Sequence, residues 1–327
     1  MVFVELVLLI IFIFILAKSA AVVVENASVL AQFFKVSNIA IGVLLVAFST
    51  SLPELAVAIS SAIGGNGAIS AGNVFGANIV NILVAFGIGS VLYSVIIPRK
   101  SLQYVVGILL LTTIISVYII MNSLIFNRAL GFLEGLLLLA IFFIYAAKFL
   151  KGSKVPENGV NHGSSDVTRK EAFYAFAYFG IGIIAVLVSS EVVVSNAISV
   201  ASELGIAESL LGATMIAIGT SLPELTINLQ AFRRKKYDLA IGDALGSNVI
   251  NLTVVLGTGA LLNEIQINLS VFIAALLFAI VANMILLYFA VVGKKMQRNA
   301  GILFLFTYVL FLAVIIGLQA TVLGKIG

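Results

Sequence analysis

Ten apolar stretches, each close to the roughly 20 residues that an α-helix needs to cross the hydrocarbon of a bilayer, follow one another with short polar breaks between them. They fall near 2–33, 38–62, 69–96, 102–123, 129–149, 172–202, 207–231, 239–262, 268–292 and 301–323. With 62% of residues apolar, 10% charged and a mean hydropathy of +1.22, the chain cannot clothe a folded surface in polar groups, so the bilayer must be its solvent. The expected fold is an all-α membrane protein of ten transmembrane helices. The first and sixth stretches are over-long and carry Lys18, Glu25 and Glu191, as tilted helices or helices running past the membrane surface do. Glu5 stands where a secretory signal would place its basic segment, so the first stretch is expected to be a mature span.

The long polar segment near 150–171 divides the chain into residues 1–150, a loop at 151–170, and residues 171–327, with five spans in each half. Lys and Arg test this count, because a wrong number of spans would scatter them over both sides. They do not scatter. Leaving out Lys18 within the first span, fifteen, from Lys35, Arg99 and Lys100 through Arg233, Arg234, Lys235 and Lys236 to Arg298, fall on one side; Arg128 and Lys325 fall on the other. The rule that cytoplasmic loops are basic then places both termini outside and the central loop in the cytoplasm. The ArgArgLysLys run at 233–236 reads first as a topogenic signal and second as an anionic-lipid patch.

A shift of 170 residues lays the second half on the first without a gap. AlaPheSerThrSerLeuProGluLeu at 47–55 returns as AlaIleGlyThrSerLeuProGluLeu at 217–225, and GlyAsnValPheGlyAlaAsnIleValAsn at 72–81 as GlyAspAlaLeuGlySerAsnValIleAsn at 242–251. Gly42 and Gly212, and Gly87 and Gly257, keep the same register. An odd number of spans per half makes the second copy enter the membrane from the opposite side. Such inverted repeats typify secondary transporters, whose substrate site lies at mid-membrane where the halves meet.

ThrSerLeuProGlu sits in the middle of spans two and seven, where an acid costs about 2.5 to 3.5 kcal/mol on insertion scales and a proline removes a backbone hydrogen bond. Helices 2 and 7 are therefore expected to be broken. No central Lys or Arg is available to neutralise Glu54 and Glu224, which leaves a bound cation as partner. Thr50 and Ser51 lie four and three residues before Glu54 on the same helix face, Thr220 and Ser221 stand likewise to Glu224, and Pro53 frees the carbonyl of Ser49. Spans three and eight add Asn81 and Asn251, with Ser247 one turn before Asn251 and Ala77 one turn before Asn81. The GlyxxxGly spacings at Gly72/Gly76 and Gly242/Gly246 read as helix-packing surfaces without a ligand role.

Oxygen donors without nitrogen or sulfur ligands suit hard cations such as Ca2+ and Na+. Two carboxylates balance one Ca2+, two Na+ or two protons, so competition for one pair of charges is a basis for exchange. A carrier crossing empty would bury both charges unpaired, which enforces antiport. Absence of Cys and a single His, His162 in the polar loop, exclude disulfides, thiolate sites and His-clustered metals, and no resident cofactor is expected. A net charge of +4 spread over short loops is no nucleic-acid footprint; the partners expected are the ions and membrane lipid. A passive channel would build its filter around an axis of identical subunits, whereas this chain carries its own paired site and is expected to act as a monomer. An intramembrane enzyme would need a nucleophile or catalytic metal set beside the two glutamates, and none accompanies them. Asp243, opposite Asn73 in the repeat, reads equally as a solvated helix-end residue and as a functional one. Glu25 and Glu191 read as interfacial side chains.

At these residues the chain resembles the cation/calcium antiporter family, and within it the prokaryotic Na+/Ca2+ exchangers. The resemblance spans all ten stretches, both repeats, and both ThrSerLeuProGlu blocks followed by Asn-x-x-Asn. It implies that Glu54 and Glu224 bind Ca2+ with the backbone carbonyls of Thr50 and Thr220. It implies Na+ sites at Ala47, Thr50, Ser51, Ala217, Thr220, Ser221 and Ser247, with Asn81 and Asn251 lining the centre and spans one and six sliding as a pair across the bundle. Two positions depart from the family pattern. Ala77 stands where a Ser is usual, and Asn251 where Asp is common, so no third central carboxylate is expected. The first departure bears on a stoichiometry of three Na+ to one Ca2+ and makes an H+/Ca2+ antiporter with the same two glutamates the alternative.

Overall fold

The computed structural model describes residues 2–65, 67–126, 129–152, 167–203, 219–265, 269–293 and 295–323. The chain is helical almost throughout. Helix α1 (Val2–Phe33) leads to α2 (Asn38–Thr50), α3 (Leu52–Ile63) and α4 (Gly67–Ile79), which continues through a π-helical turn, Val80–Val84, into α5 (Ala85–Tyr93). Then come α6 (Leu102–Phe126), α7 (Phe132–Gly152), α8 (Arg169–Glu203), α9 (Leu222–Arg233) and α10 (Tyr237–Ile250). Another π-helical turn, Asn251–Val255, joins α10 to α11 (Leu256–Leu262), and α12 (Leu269–Tyr288) and α13 (Arg298–Leu323) follow.

Among the described residues eight helices are long and apolar enough to cross a bilayer, and α2 with α3 makes a ninth span bent by 44°. The chain is thus a multi-pass integral membrane protein. Each expected span meets a helix, with boundaries a few residues off; residues 207–218 of the seventh, and His162 with most of the central loop, lie outside the described residues. Thr168 closes the start of α8 with a reciprocal cap, in which its N–H donates to the Glu171 carboxylate at 2.8 Å and its hydroxyl accepts from the Glu171 N–H at 3.2 Å.

The bundle is sorted by burial. Ile69–Tyr93 and Tyr237–Leu262, one repeat interval apart, are 83% and 94% buried, whereas the flanking helices turn one face to lipid. Helix α1 lies along α8. Ala20, Val23, Val24, Ala27, Leu30 and Ala31 form its buried stripe at helical spacing, and Ala175, Phe179, Ile183 and Val186 face back from α8. Phe14, Phe173 and Ile184 point outward and are more than 60% exposed, as side chains solvated by acyl tails would be.

Two small pairings tie the connecting segments. Strand β1 (Val95–Ile96) pairs antiparallel with β2 (Lys295–Met296), in the register Val95 to Met296. At the same end Ser101 donates to Asp238 at 2.5 Å, and Arg234 pairs with Glu25. At the opposite end Leu130 and Ile265 exchange backbone hydrogen bonds of 3.1 and 2.9 Å, and Asn263 donates to the Ala62 carbonyl at 3.0 Å. Segments expected on one side of the membrane therefore meet one another and not those of the other side.

Candidate ion site

Both ThrSerLeuProGlu segments leave helical geometry at the same residue of the repeat. Ser51 (φ −80°, ψ 9°) and Ser221 (φ −85°, ψ 0°) leave the helical region, and α3 and α9 restart with Pro53 and Pro223 in their first turn, where a missing N–H costs least. Hydrogen bonds from Ser51 N–H to Ala47 O (3.0 Å) and from Leu55 N–H to Ser51 O (3.1 Å) carry the chain past the break. Pro53 has no N–H to give the Ser49 carbonyl four residues back.

The break turns Glu54 and Glu224 inward, each wholly buried. The two motifs meet: Ser51 Oγ lies 3.4 Å from Glu224 Oε1. Thr50, Ser221, Ser247, Ala47 and Asn251 are fully buried, and Ser51 and Asn81 nearly so. Thr220 is half-buried and donates to Asn73 Oδ1 at 3.0 Å. Ala217 lies outside the described residues. The described candidates are thus buried or half-buried in the interior, with Asn81 and Asn251 each in a π-helical turn, a distortion common at functional sites.

Buried polar atoms normally find partners. Here both carboxylate oxygens of Glu54, Glu224 Oε2, Asp243 Oδ2, the hydroxyls of Ser221 and Ser247, and the side-chain carbonyls of Asn81 and Asn251 have none among the described residues. Buried oxygens without donors are costly in a protein core and suit a hard cation. Among the described residues no three Asp, Glu, His or Cys side chains converge as a metal cluster. A cation held here would take mixed carboxylate, hydroxyl, amide and carbonyl oxygens.

Three residues overlooked or left open by the sequence reading belong to this region. Asn78 and Asn248 bind across the repeats: each side chain donates to the other's backbone carbonyl, at 3.3 and 3.2 Å. Asn251 then donates to Asn78 Oδ1 at 3.1 Å and Asn81 to Asn248 Oδ1 at 3.3 Å, so one contact maps onto the other by the 170-residue shift. The repeat itself was the signal for them. Asp243 corrects the expectation of no third central carboxylate: it is wholly buried, with Oδ1 3.3 Å from Thr50 Oγ1. The solvated helix-end reading fails for it.

Glycines set how closely the elements approach. A Cβ on Gly242 would lie 2.5 Å from Ile39 O and one on Gly246 2.6 Å from Val43 Cα, so only glycine lets α10 cross α2 at this distance. The packing role expected for this pair holds.

Residues 4–151 and 174–317 match the sodium/calcium exchanger protein family. An uncharacterized membrane protein of Methanocaldococcus jannaschii is 32% identical over 286 residues, covering 87% of this chain and 89% of its own. The sodium/calcium exchanger MaX1 of Methanosarcina acetivorans is 28% identical over 334 residues, covering 92% and 95%. Among solved structures, the sodium-calcium exchanger NCX_Mj soaked with zero Na+ and Ca2+ superposes with a TM-score of 0.82 at 26% identity, over 96% of this chain and 99% of that one. With both halves of the chain matched, the protein belongs to the sodium/calcium exchanger family.

Proposed function

We propose that this protein is a secondary active antiporter that exchanges Ca2+ for Na+ across the membrane by alternating access. The observation that carries the reading is the meeting of two ThrSerLeuProGlu breaks, with Glu54 and Glu224 wholly buried and three of their four carboxylate oxygens lacking a donor among the described residues. In this reading the two carboxylates hold Ca2+ with the carbonyls of Thr50 and Thr220. Na+ competes through Ala47, Thr50, Ser51, Ala217, Thr220, Ser221 and Ser247, and Asn81 and Asn251 line the centre. Either load removes the cost of two bare anions in a low dielectric, and no load leaves it in place. Exchange follows without any other gate on the empty carrier.

The architecture proposed is ten spans in two inverted repeats, residues 1–150 and 171–327, joined by the loop at 151–170. The symmetric asparagine contacts and the matched breaks at Ser51 and Ser221 support it. Grouping of Arg99, Arg233, Arg234, Lys236, Lys295 and Arg298 near one end supports placing that end in the cytoplasm, with both termini outside. One chain supplies both halves of the site, which supports function as a monomer.

Uptake of radioactive Ca2+ into proteoliposomes tests this directly. An outward Na+ gradient should drive uptake, and K+ in its place should not. Uptake that follows a pH gradient instead would transfer the reading to proton exchange, and none under either gradient would end it.

A further inference from the structure

Departures from the repeat cluster on one side of the site. The 170-residue shift pairs Asp243 with Asn73 and Ser247 with Ala77. Positions 243 and 247 are one turn apart on α10, hence on one face. That face meets α2, where a Cβ on Gly42 would lie 2.9 Å from the Asp243 nitrogen and one on Gly246 3.0 Å from Ala47 Cβ. On this side a carboxylate and a hydroxyl stand together; on the other, an amide and a methyl.

Hydrogen bonding sharpens the contrast. Asp243 Oδ1 takes the Thr50 hydroxyl at 3.3 Å, and its second oxygen, Oδ2, is buried without a donor among the described residues, as is Ser247 Oγ. Asn73 uses its oxygen for Thr220 at 3.0 Å, so the atom left without a partner is the nitrogen Nδ2, an N–H donor that repels cations. Among the described residues, positions 243 and 247 offer two oxygens without a donor and a carboxylate; positions 73 and 77 offer no such oxygen.

Resting on the exchange reading above, we infer that Asp243 is an additional charged Na+ ligand. With Ser247 it completes a monovalent site beside Thr50 that has no counterpart at Asn73 and Ala77. Ser247 already belongs to the Na+ ligands of that reading, whereas Asp243 adds the charge that Asn251 withholds. Three carboxylates then match three monovalent cations, although the usual hydroxyl is missing at position 77. The third acid stands to one side of the glutamate pair, since no three-acid cluster forms among the described residues.

The test is Na+-activated Ca2+ efflux from proteoliposomes, measured as a function of external Na+ for wild type, Asp243→Asn and Ser247→Ala. The amide variant keeps size and the bond to Thr50. It should raise the half-activating Na+ concentration about tenfold or more, as expected for losing a charge-assisted contact, and lower the Hill coefficient by about one. Ser247→Ala removes a single oxygen and should shift Na+ activation in the same direction; it serves if the first variant fails to fold. Unchanged Na+ activation in both variants overturns the assignment. So does an equal loss of Na+-independent Ca2+–Ca2+ exchange in Asp243→Asn, which would make the carboxylate a ligand of the divalent ion. Wild-type protein that moves no Ca2+ under a Na+ gradient defeats the exchange reading itself, not the placement of Asp243.

Discussion

Asn78 and Asn248 hold each other across the centre of the bundle, each amide N–H seated on the other's backbone carbonyl at 3.3 and 3.2 Å. Both residues are more than 95% buried, so neither carbonyl can turn to water if its partner is cut away.

Removing either side chain should therefore cost the fold. Asn78→Ala and Asn248→Ala are each expected to destabilise by about 1 to 3 kcal/mol, the range for leaving a buried polar group unpaired. The double variant should cost less than the sum, because the two lose shared contacts. Thermal unfolding of the purified protein in detergent reads all three; additive losses would show that the pair does not act as a unit.

Glu54→Gln and Glu224→Gln keep the shape of the site and delete a charge from it. Each should reduce Na+-driven Ca2+ uptake by about 100-fold or more, corresponding to roughly 3 kcal/mol of lost cation stabilisation. Folding should not suffer, since a neutral amide is cheaper to bury than a bare carboxylate. Uptake retained in both variants contradicts the site.

Where α10 crosses α2, Gly246→Ala would drive a methyl to 2.6 Å from the Val43 Cα. Backbone must move to admit it, at a cost of about 1 to 3 kcal/mol. Gly107 lies exposed on α6 with nothing within 4 Å among the described residues, and Gly107→Ala should be neutral or stabilise by up to about 1 kcal/mol. A melting temperature lowered in the first variant and not in the second checks the contrast.

Pro53→Ala returns an N–H opposite the Ser49 carbonyl. Because position 53 lies in the first turn of α3, stability should change by less than about 1 kcal/mol. Uptake should nevertheless fall, since the restored hydrogen bond straightens the break that turns Glu54 inward. Paired melting and flux measurements separate the two effects; unchanged uptake would mean that the break does not depend on the proline.

Much of this was readable from the chain because two signals are strong in a bilayer. Apolar stretches of spanning length mark the helices, and ThrSerLeuProGlu announces a break and a buried acid twice. Depth and cross-chain contact were harder to see. Asp243 differs visibly from Asn73, yet only packing against Gly42 and Thr50 shows that it lies inside the bundle instead of at a wet helix end. Asn78 and Asn248 were hidden by a different limit: a repeat states which residues are equivalent, not which equivalent residues touch. The Glu25–Arg234 pair, 209 positions apart, had no local signal at all.

The two short pairings at the ends of the bundle restrict how it can move. With β1 sewn to β2 at one face and Leu130 sewn to Ile265 at the other, the loops between helices are latched together above and below the ion region. A body latched at both rims cannot yawn open like jaws. In the exchange proposed above, uncovering the ions first to one compartment and then to the other falls to helices outside both latches, α1 with α8, packed lengthwise on each other, once Glu25 on α1 parts from Arg234.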